Sequence, residues 1–336
     1  MSLQVPIVDL SPLSSGDTHG SDDVVETIGR ACENWGFFQV VNHGISDPLL
    51  QRVWAATWQF FALPRAQKLA ISRSKGNPRG YYDRELTKNA RDLKEVFDFG
   101  KAMHPELPDD HPRNHAAVDG HNQWPSDLPS FRSTMLEYFQ ACESLGLEIL
   151  RAFCLSLGQP GERLHQHFIG NHTSFVRLNY YPLHDPLEPQ ESTHTTALGD
   201  MALHHHTDAG ALTILLQDNV GGLQVFAHDE WIDVTPVDGA FVINLGDMMQ
   251  VWSNDRYKAA LHRVLPRKEQ ERYSIPFFFN PSYETDYAPL PSLAGDEPKY
   301  RTLNWGDFRQ ARTDGDYADY GKEIQIADYR IECAPS

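Results

Sequence analysis

Three side chains in this sequence have the types and spacing to hold a redox metal. In the run LHHHTDAG, His206 and Asp208 stand two apart. Alternate residues of an extended strand point to one side, so both can converge on a single ion. A third ligand must come from a distant strand, and His262 in KAALHRVLP opens a new β-type run far downstream. Two imidazoles and one carboxylate on one face of an octahedron leave three positions open, which suits Fe(II) and oxygen chemistry. Beyond His262, the run ERYSIPFFF carries Arg272 and Ser274 on one strand face. A guanidinium fork with a neighbouring hydroxyl binds a carboxylate through parallel hydrogen bonds. Upstream, SFVRLNYYP aligns Arg177, Asn179 and Tyr181 on one face, offering further donors to an acid.

Each feature also has a plainer reading. The chain has 16 histidines, and an isolated HxD pair on a strand is more often a surface or core feature than a ligand pair. His204 shares the face of His206 and is a competing ligand, whereas His205 points away. His228 and Glu230 form an HxE pair inside FAHDEWIDV, whose pattern is strand, turn, strand, so they are expected at a hairpin tip. The histidines at 104, 111, 115 and 121 read as solvated loop residues.

The elements that must position these residues change character along the chain. VPIVDL and WGFFQVVNHG are strand-like. One helix is expected to end near Asn34, and another to begin after Ser46, where Asp47 and Pro48 are start signals. LKEVFDFG is a further strand, and roughly residues 104–129, rich in His, Pro and Asp, form a loop. Phe131, Met135, Tyr138, Phe139, Cys142, Leu145, Ile149 and Phe153 recur at steps of three and four, the apolar stripe of a long helix ending at Gly158. Beyond it, SFVRLNYY, LHHHTD, ALTILLQ, LQVF, WIDV, AFVINL, LHRVL and YSIPFFF are short β-type runs between turn residues. Such a series predicts a mixed α/β, mainly β fold: a double-stranded β-helix, or jelly roll, flanked by helices. The run after about Pro298 is expected to form a helix that packs against the barrel or covers its mouth.

The chain has 336 residues, 40% hydrophobic and 22% charged, so a sizeable core is available and one large unit is favoured over two independent ones. A net charge of −17 repels phosphate backbones and anionic lipid, which excludes nucleic acid and membranes as expected partners. Cys32, Cys142, Cys154 and Cys333 form no CxxC pair and read as buried thiols. The start, MSLQVPIVDL, lacks a secretion signal, and no run approaches a membrane span, so a cytoplasmic location is expected.

Taken together, these residues resemble the isopenicillin N synthase-like family of iron(II)/2-oxoglutarate-dependent dioxygenases. VPIVDLS, NWGFFQVVNHGIS, RGYY, DLKEVFDFG and HNQWP resemble its amino-terminal region. NYYP, HTDAGALTILLQD, GGLQV, WIDVTP, VINLGD, SNDRYKAALHRV and RYSIPFFFNP resemble its catalytic jelly roll. The resemblance implies an amino-terminal region over 1–125 packing on the core. Residues 126–336 would form a helix plus the catalytic domain and a carboxy-terminal extension. It implies His206, Asp208 and His262 as iron ligands, Arg272 and Ser274 as the clamp on the distal carboxylate of 2-oxoglutarate, and Asn179 and Tyr181 as auxiliary co-substrate contacts. The implied reaction consumes O2 and 2-oxoglutarate, releases succinate and CO2, and hydroxylates or desaturates a small-molecule, secondary-metabolite-like substrate. Stimulation by ascorbate and a monomer or weak homodimer are further expectations. Two alternatives stay open: an Fe(II) oxidase of the same family that does not use 2-oxoglutarate, and a non-enzymatic jelly-roll binding protein.

Specificity should lie in loops around the barrel mouth, because ligands and co-substrate fill its floor. Candidates are Tyr81, Tyr82, Arg84, Lys88, Arg91, Phe97, the loop from about Leu183 to Gly199, and Phe279 with Asn280; packing or solvent exposure is the plainer reading of each. Arg84, Lys88 and Arg91 form a local basic cluster that would favour a carboxylate-bearing substrate.

Overall fold

The computed structural model describes residues 3–331 apart from 16–17, 88–89, 103, 105, 115–119, 188, 193–194, 296 and 319–323. Two sheets face each other. The larger runs, in spatial order, Ile7–Asp9, Phe37–Val41, Phe241–Leu245, Leu212–Gln217, Arg272–Phe279, Phe175–Tyr181, Glu95–Gly100 and Gly80–Tyr82. Only its first pair is parallel; the remaining pairs are antiparallel. The smaller runs Glu230–Asp233, Leu223–Ala227, His262–Val264 and Leu203–His206, all antiparallel. This is the expected jelly roll. Four strands of the large sheet come from the first hundred residues, so the amino-terminal region is hydrogen-bonded into the catalytic sheet.

The large sheet buries apolar residues on both faces. On the outer face lie the helices Thr18–Asn34, Asp47–Phe61 and Phe131–Ser156, whose buried residues join Phe97, Val176, Leu178, Ile214, Ile243, Ile275, Phe277 and Phe279 in one core. On the inner face a smaller core, with Phe37, Tyr181, Leu215, Val242, Leu223, Val225 and Val264, joins the two sheets and borders a cavity. The long helix stops where the stripe predicts: Gly158 takes φ +72°, open to glycine at no steric cost, and its N–H bonds back to the Leu155 carbonyl at 2.9 Å. At the Asp47–Phe61 helix, Ser46 holds the cap position without a side-chain cap bond, and Pro48 supplies the fixed φ of the first turn. The described part of 104–129 is irregular before the long helix apart from a short turn at Pro112–Asn114. His228 and Asp229 are at the tip of a hairpin with positive φ. The terminal helix Trp305–Ala318 packs beside the Leu86–Thr87 strand, and Arg309 and Arg312 from it reach the cavity. Cys32, Cys142 and Cys154 are buried free thiols, Cys333 lies outside the described residues, and among the described residues no helix is long and apolar enough to cross a membrane.

Strand alternation corrects three of the expected substrate contacts. Tyr81 pairs with Phe97 across neighbouring strands, and both point into the helical core. There Tyr81 donates its hydroxyl to Glu95 at 2.6 Å and Phe97 packs on Phe60, Phe131 and Trp124. Phe279 is fully buried on the same outer face, stacked on Phe168 at 4.5 Å between centroids. Their strand neighbours Tyr82 and Phe278 line the cavity instead. Asn280 is buried beyond the strand, with its backbone bonded to Ser174. Phe279→Ala is therefore expected to cost about 3–5 kcal/mol of stability, read as a lowered urea midpoint, while the folded fraction keeps its substrate KM.

Candidate active site

The two imidazoles meet through one cross-strand pair. His206 ends its strand directly opposite His262, and a register shift follows between His262 and Val264. Opposed residues of an antiparallel pair project to the same face, and here the rings approach to 4.3 Å. Each ring is held by its far nitrogen. Nδ1–H of His206 donates to the His204 carbonyl at 2.9 Å, and Nδ1–H of His262 to the Ala260 carbonyl at 3.1 Å. Both Nε2 atoms are thereby presented as lone pairs, the orientation that metal-bound histidines need.

Asp208 follows the strand end and completes the group. Its Oδ1 lies 3.7 Å from Nε2 of His206 and 3.8 Å from Nε2 of His262, and one ligand atom from each of the three residues lies within 4.8 Å of the others. Its Oδ2 is occupied by the Thr213 hydroxyl and by Asn244 Nδ2 at 2.7 Å. The carboxylate is therefore turned so that one oxygen faces the imidazoles. Burial alone would raise the Asp208 pKa, but the His262 and His206 rings and these hydrogen bonds outweigh it, leaving it below the usual range. Burial, assisted by His262, pushes His206 far below the ordinary imidazole value, which keeps it neutral and able to ligate.

The loop carrying Asp208 is locked by close backbone approach at Gly246. A Cβ there would lie 2.1 Å from the Gly210 carbonyl oxygen and 2.9 Å from that of Asp208. The Asp247 N–H donates to the Asp208 carbonyl at 2.7 Å. Burial pushes the Asp247 carboxyl itself up to about 6.

Arg272 forms the second feature of the cavity. It is 1% exposed. Its Nε donates to the Gly221 carbonyl at 2.9 Å and Nη2 to Gln217 Oε1 at 3.3 Å, while Nη1 has no partner among the described residues. The Gln217 amide nitrogen is likewise buried and without one. Ser274 lies two residues along the strand and accepts from Asn179 Nδ2 at 3.3 Å. Tyr181 stands opposite Arg272, with the guanidinium 4.9 Å from its ring centroid. A buried cation with an orphaned donor beside a hydroxyl is a receptor for a carboxylate. Two imidazoles with one carboxylate form the donor set of a non-haem Fe(II) site with open positions. The residues present thus fit both an iron ion and an acidic co-substrate.

One cavity of about 320 Å³ holds all of these groups. Of the expected site residues, His206, Asp208, His262, Arg272, Ser274, Asn179, Tyr181, Tyr82 and Arg84 line it, as does Arg177. Arg177 is not a free donor, because it is ion-paired with Asp98 and Glu85 at 2.8 Å each. His204, expected to compete for the metal, contacts Asp92 and Asp200 instead, and His205 turns an edge toward Trp231. The expected basic cluster is absorbed by acids: Arg91 is buried against Asp185, and Arg84 pairs with Glu191 at 3.2 Å; Lys88 and His115 lie outside the described residues. Sequence reasoning missed Thr213, Gln217, Asn244, Lys94 and Gly246. Alternation within TILLQ and VINL was the available signal for the first three, since it places them on the ligand side.

A family model described as the 2OG-Fe(II) oxygenase superfamily matches residues 172–281, and one described as the non-haem dioxygenase in morphine synthesis N-terminal matches 5–127. The 2-oxoglutarate-Fe(II) type oxidoreductase hxnY of Emericella nidulans is 36% identical, covering 98% of this chain and 96% of its own. Gibberellin 20 oxidase 1 of Arabidopsis thaliana is 35% identical, covering 92% of this chain and 78% of its own. Among solved structures, a full-length Neurospora crassa protein in complex with alpha-KG and thymine superposes with a TM-score of 0.77 at 28% identity, covering 93% of this chain and 97% of its own. JOX2 in complex with 2OG, Fe and JA gives 0.75 at 32%, covering 92% and 84%.

Gly246→Ala is expected to push the Asp208 loop off its position. Fe(II) affinity should fall about tenfold or more, as for other supports of a metal ligand, in an anaerobic metal titration.

Proposed function

Because this chain belongs to the 2OG-Fe(II) oxygenase superfamily, and is a 2-oxoglutarate-dependent non-haem iron dioxygenase that hydroxylates or desaturates a small molecule, we propose that His206, Asp208 and His262 hold its iron. In this reading Arg272 and Ser274 hold the distal carboxylate of 2-oxoglutarate, with Asn179 and Tyr181 beside them. The carrying observation is the buried Arg272 guanidinium with its orphaned Nη1 on the wall of the cavity that contains the three metal-ligand candidates.

Held by these residues, iron and 2-oxoglutarate would supply the oxidising chemistry, in which O2, the co-substrate and the substrate give succinate, CO2 and the oxidised substrate. The chain's own groups bind, orient and exclude water. Thr213 and Asn244 hold Asp208 in one rotamer by occupying its outer oxygen. The His204 and Ala260 carbonyls fix the imidazole tautomers. Gly221 and Gln217 anchor the Arg272 fork at one edge, leaving the other for the co-substrate. Asn179 orders the Ser274 hydroxyl. Phe175, Pro276 and Phe278 from adjacent strands give the cavity an apolar wall, which keeps bulk water from the reacting atoms. A cavity at the small end of the ligand-site range must take both co-substrate and substrate, so the substrate is a compact molecule. The Neurospora protein with thymine and JOX2 with JA set the precedent of scale. We further infer a cytosolic protein that does not bind nucleic acid, from the net charge of −17 and the buried free thiols.

The test is an anaerobic titration of the apoprotein with Fe(II) and then 2-oxoglutarate. The parent should develop the weak visible charge-transfer band of the chelate. His206→Ala should lose iron, and Arg272→Ala should keep iron but need about a hundredfold more 2-oxoglutarate, the scale of losing a buried charge-assisted pair. Iron binding with no band at any co-substrate concentration would remove the Arg272 assignment.

A further inference from the structure

The charges around the cavity are unevenly balanced. Three acids reach its wall: Asp208, Glu85 and Asp98. Asp208 faces the imidazoles. Glu85 is shared by Arg73 at 2.7 Å, Arg177 at 2.8 Å and Lys94 at 2.9 Å, and Asp98 by Arg73 and Arg177. Lys94 also reaches Asp92 at 3.1 Å. Three cations and three carboxylates thus neutralise one another on the amino-terminal side. Of the other arginines there, Arg84 is paired with Glu191, and Arg79 is engaged by Asn122 at 3.0 Å and the Lys101 carbonyl at 3.3 Å.

The side formed by the Trp305–Ala318 helix is different. Arg309 and Arg312 stand three apart, on one helix face, and both line the cavity. Among the described residues Arg312 meets only neutral acceptors: the Ile324 carbonyl at 3.1 Å, Gln325 Oε1 at 3.4 Å and the Thr207 carbonyl at 3.4 Å. Asp247 acts on it electrostatically without an ion pair between them. A guanidinium has five N–H donors and keeps its charge at any working pH, so Arg312 brings a full positive charge to the wall, with neutral partners for some donors. Its bond to Thr207, the residue between two metal-ligand candidates, places that charge next to the metal site. Arg309 lies over the Phe175 ring at 5.1 Å, and Phe175 is itself stacked on Phe278 at 4.6 Å. A pair of stacked aromatic rings therefore adjoins the side of the cavity that Arg312 reaches.

We propose that the substrate is a small carboxylic acid with a flat, ring-sized body, its carboxylate received by Arg312 with Arg309 beside it and its ring lying along Phe175 and Phe278. The proposal rests on the assignment of iron and 2-oxoglutarate above. Arg272 serves the co-substrate, and the arginine pair on the terminal helix serves the substrate.

The test uses holoprotein loaded with Fe(II) and saturating 2-oxoglutarate under nitrogen. Perturbation of the chelate band and calorimetric titration read the binding of paired probes: benzoate against benzamide, 1-naphthoate against 1-naphthamide, and cyclohexanecarboxylate against its amide. In the parent, at least one flat acid should bind about tenfold or more tightly than its amide, the scale of one charge-assisted bidentate contact. It should also bind more tightly than the saturated-ring acid. Arg312→Gln should abolish the acid-over-amide ratio while the chelate band persists, Arg312→Lys should keep part of it, and Arg309→Gln gives a second reading if Arg312→Gln folds poorly. No preference for acids anywhere in the panel overturns the proposal. So does an Arg312→Gln protein that loses acid and amide alike, since an arginine that merely braced Thr207 would leave the ratio unchanged. Failure of the band to form in the parent overturns the underlying iron and 2-oxoglutarate assignment as well, so the two failures are told apart.

Discussion

Everything the site can do depends on one antiparallel pair, His206 opposite His262. A slip of a single residue would turn one imidazole to the other side of the smaller sheet and dissolve the cluster. Register is fixed from both sides. The inner faces of the two sheets bury Leu223, Val225 and Val264 against Leu215 and Val242, and backbone hydrogen bonds tie the chain after Asp208 to the start of the Asp247–Trp252 helix. The absence of a side chain at Gly246 makes that contact possible. The candidate metal site is thus assembled from backbone constraints first and side-chain contacts second.

The large sheet divides labour by parity. Along Arg272–Phe279, residues 272, 274, 276 and 278 line the cavity while 273, 275, 277 and 279 meet the helices. The same division runs through Phe175–Tyr181 and Leu212–Gln217. One strand therefore supplies both the buried guanidinium of the cavity and the apolar anchors that hold the long helix. Burying charge carries a desolvation cost that only close pairing offsets, and the molecule meets it in two ways. In the cluster of Arg73, Glu85, Lys94, Asp92, Asp98 and Arg177, every cation is ion-paired with a carboxylate. Arg272 instead keeps a donor unpartnered among the described residues, which is the mark of a group awaiting a ligand.

The chemistry-bearing residues were legible because they sit in short runs with a clear period. His206 with Asp208, and Arg272 with Ser274, are i and i+2 pairs, and period 2 puts them on one face. The substrate side was less legible. Tyr81 and Phe279 were expected at the cavity and lie in the helical core. Their aromatic neighbours Tyr82 and Phe278 are of the same residue types, and only strand pairing decides which of two adjacent rings faces which way. Arg84 and Arg91 looked like a free basic patch, since neither Asp185 nor Glu191 is near them in sequence. The folded chain brings those acids to them.

By itself the sequence determined the fold class, the long helix to Gly158, and the residue types of the candidate metal and carboxylate sites, because these follow from local periodicity and from the ligand chemistry of His, Asp and Arg. Tertiary structure decided what local pattern cannot encode. It selected His262 rather than His204 to complete the metal group, by cross-strand register on one side and by the pull of Asp92 and Asp200 on the other. It neutralised Arg84 and Arg91 with distant acids and brought Arg309 and Arg312 to the cavity from the far end of the chain. Charge balance at a site is a sum over residues distant in sequence, and only the folded chain performs that sum.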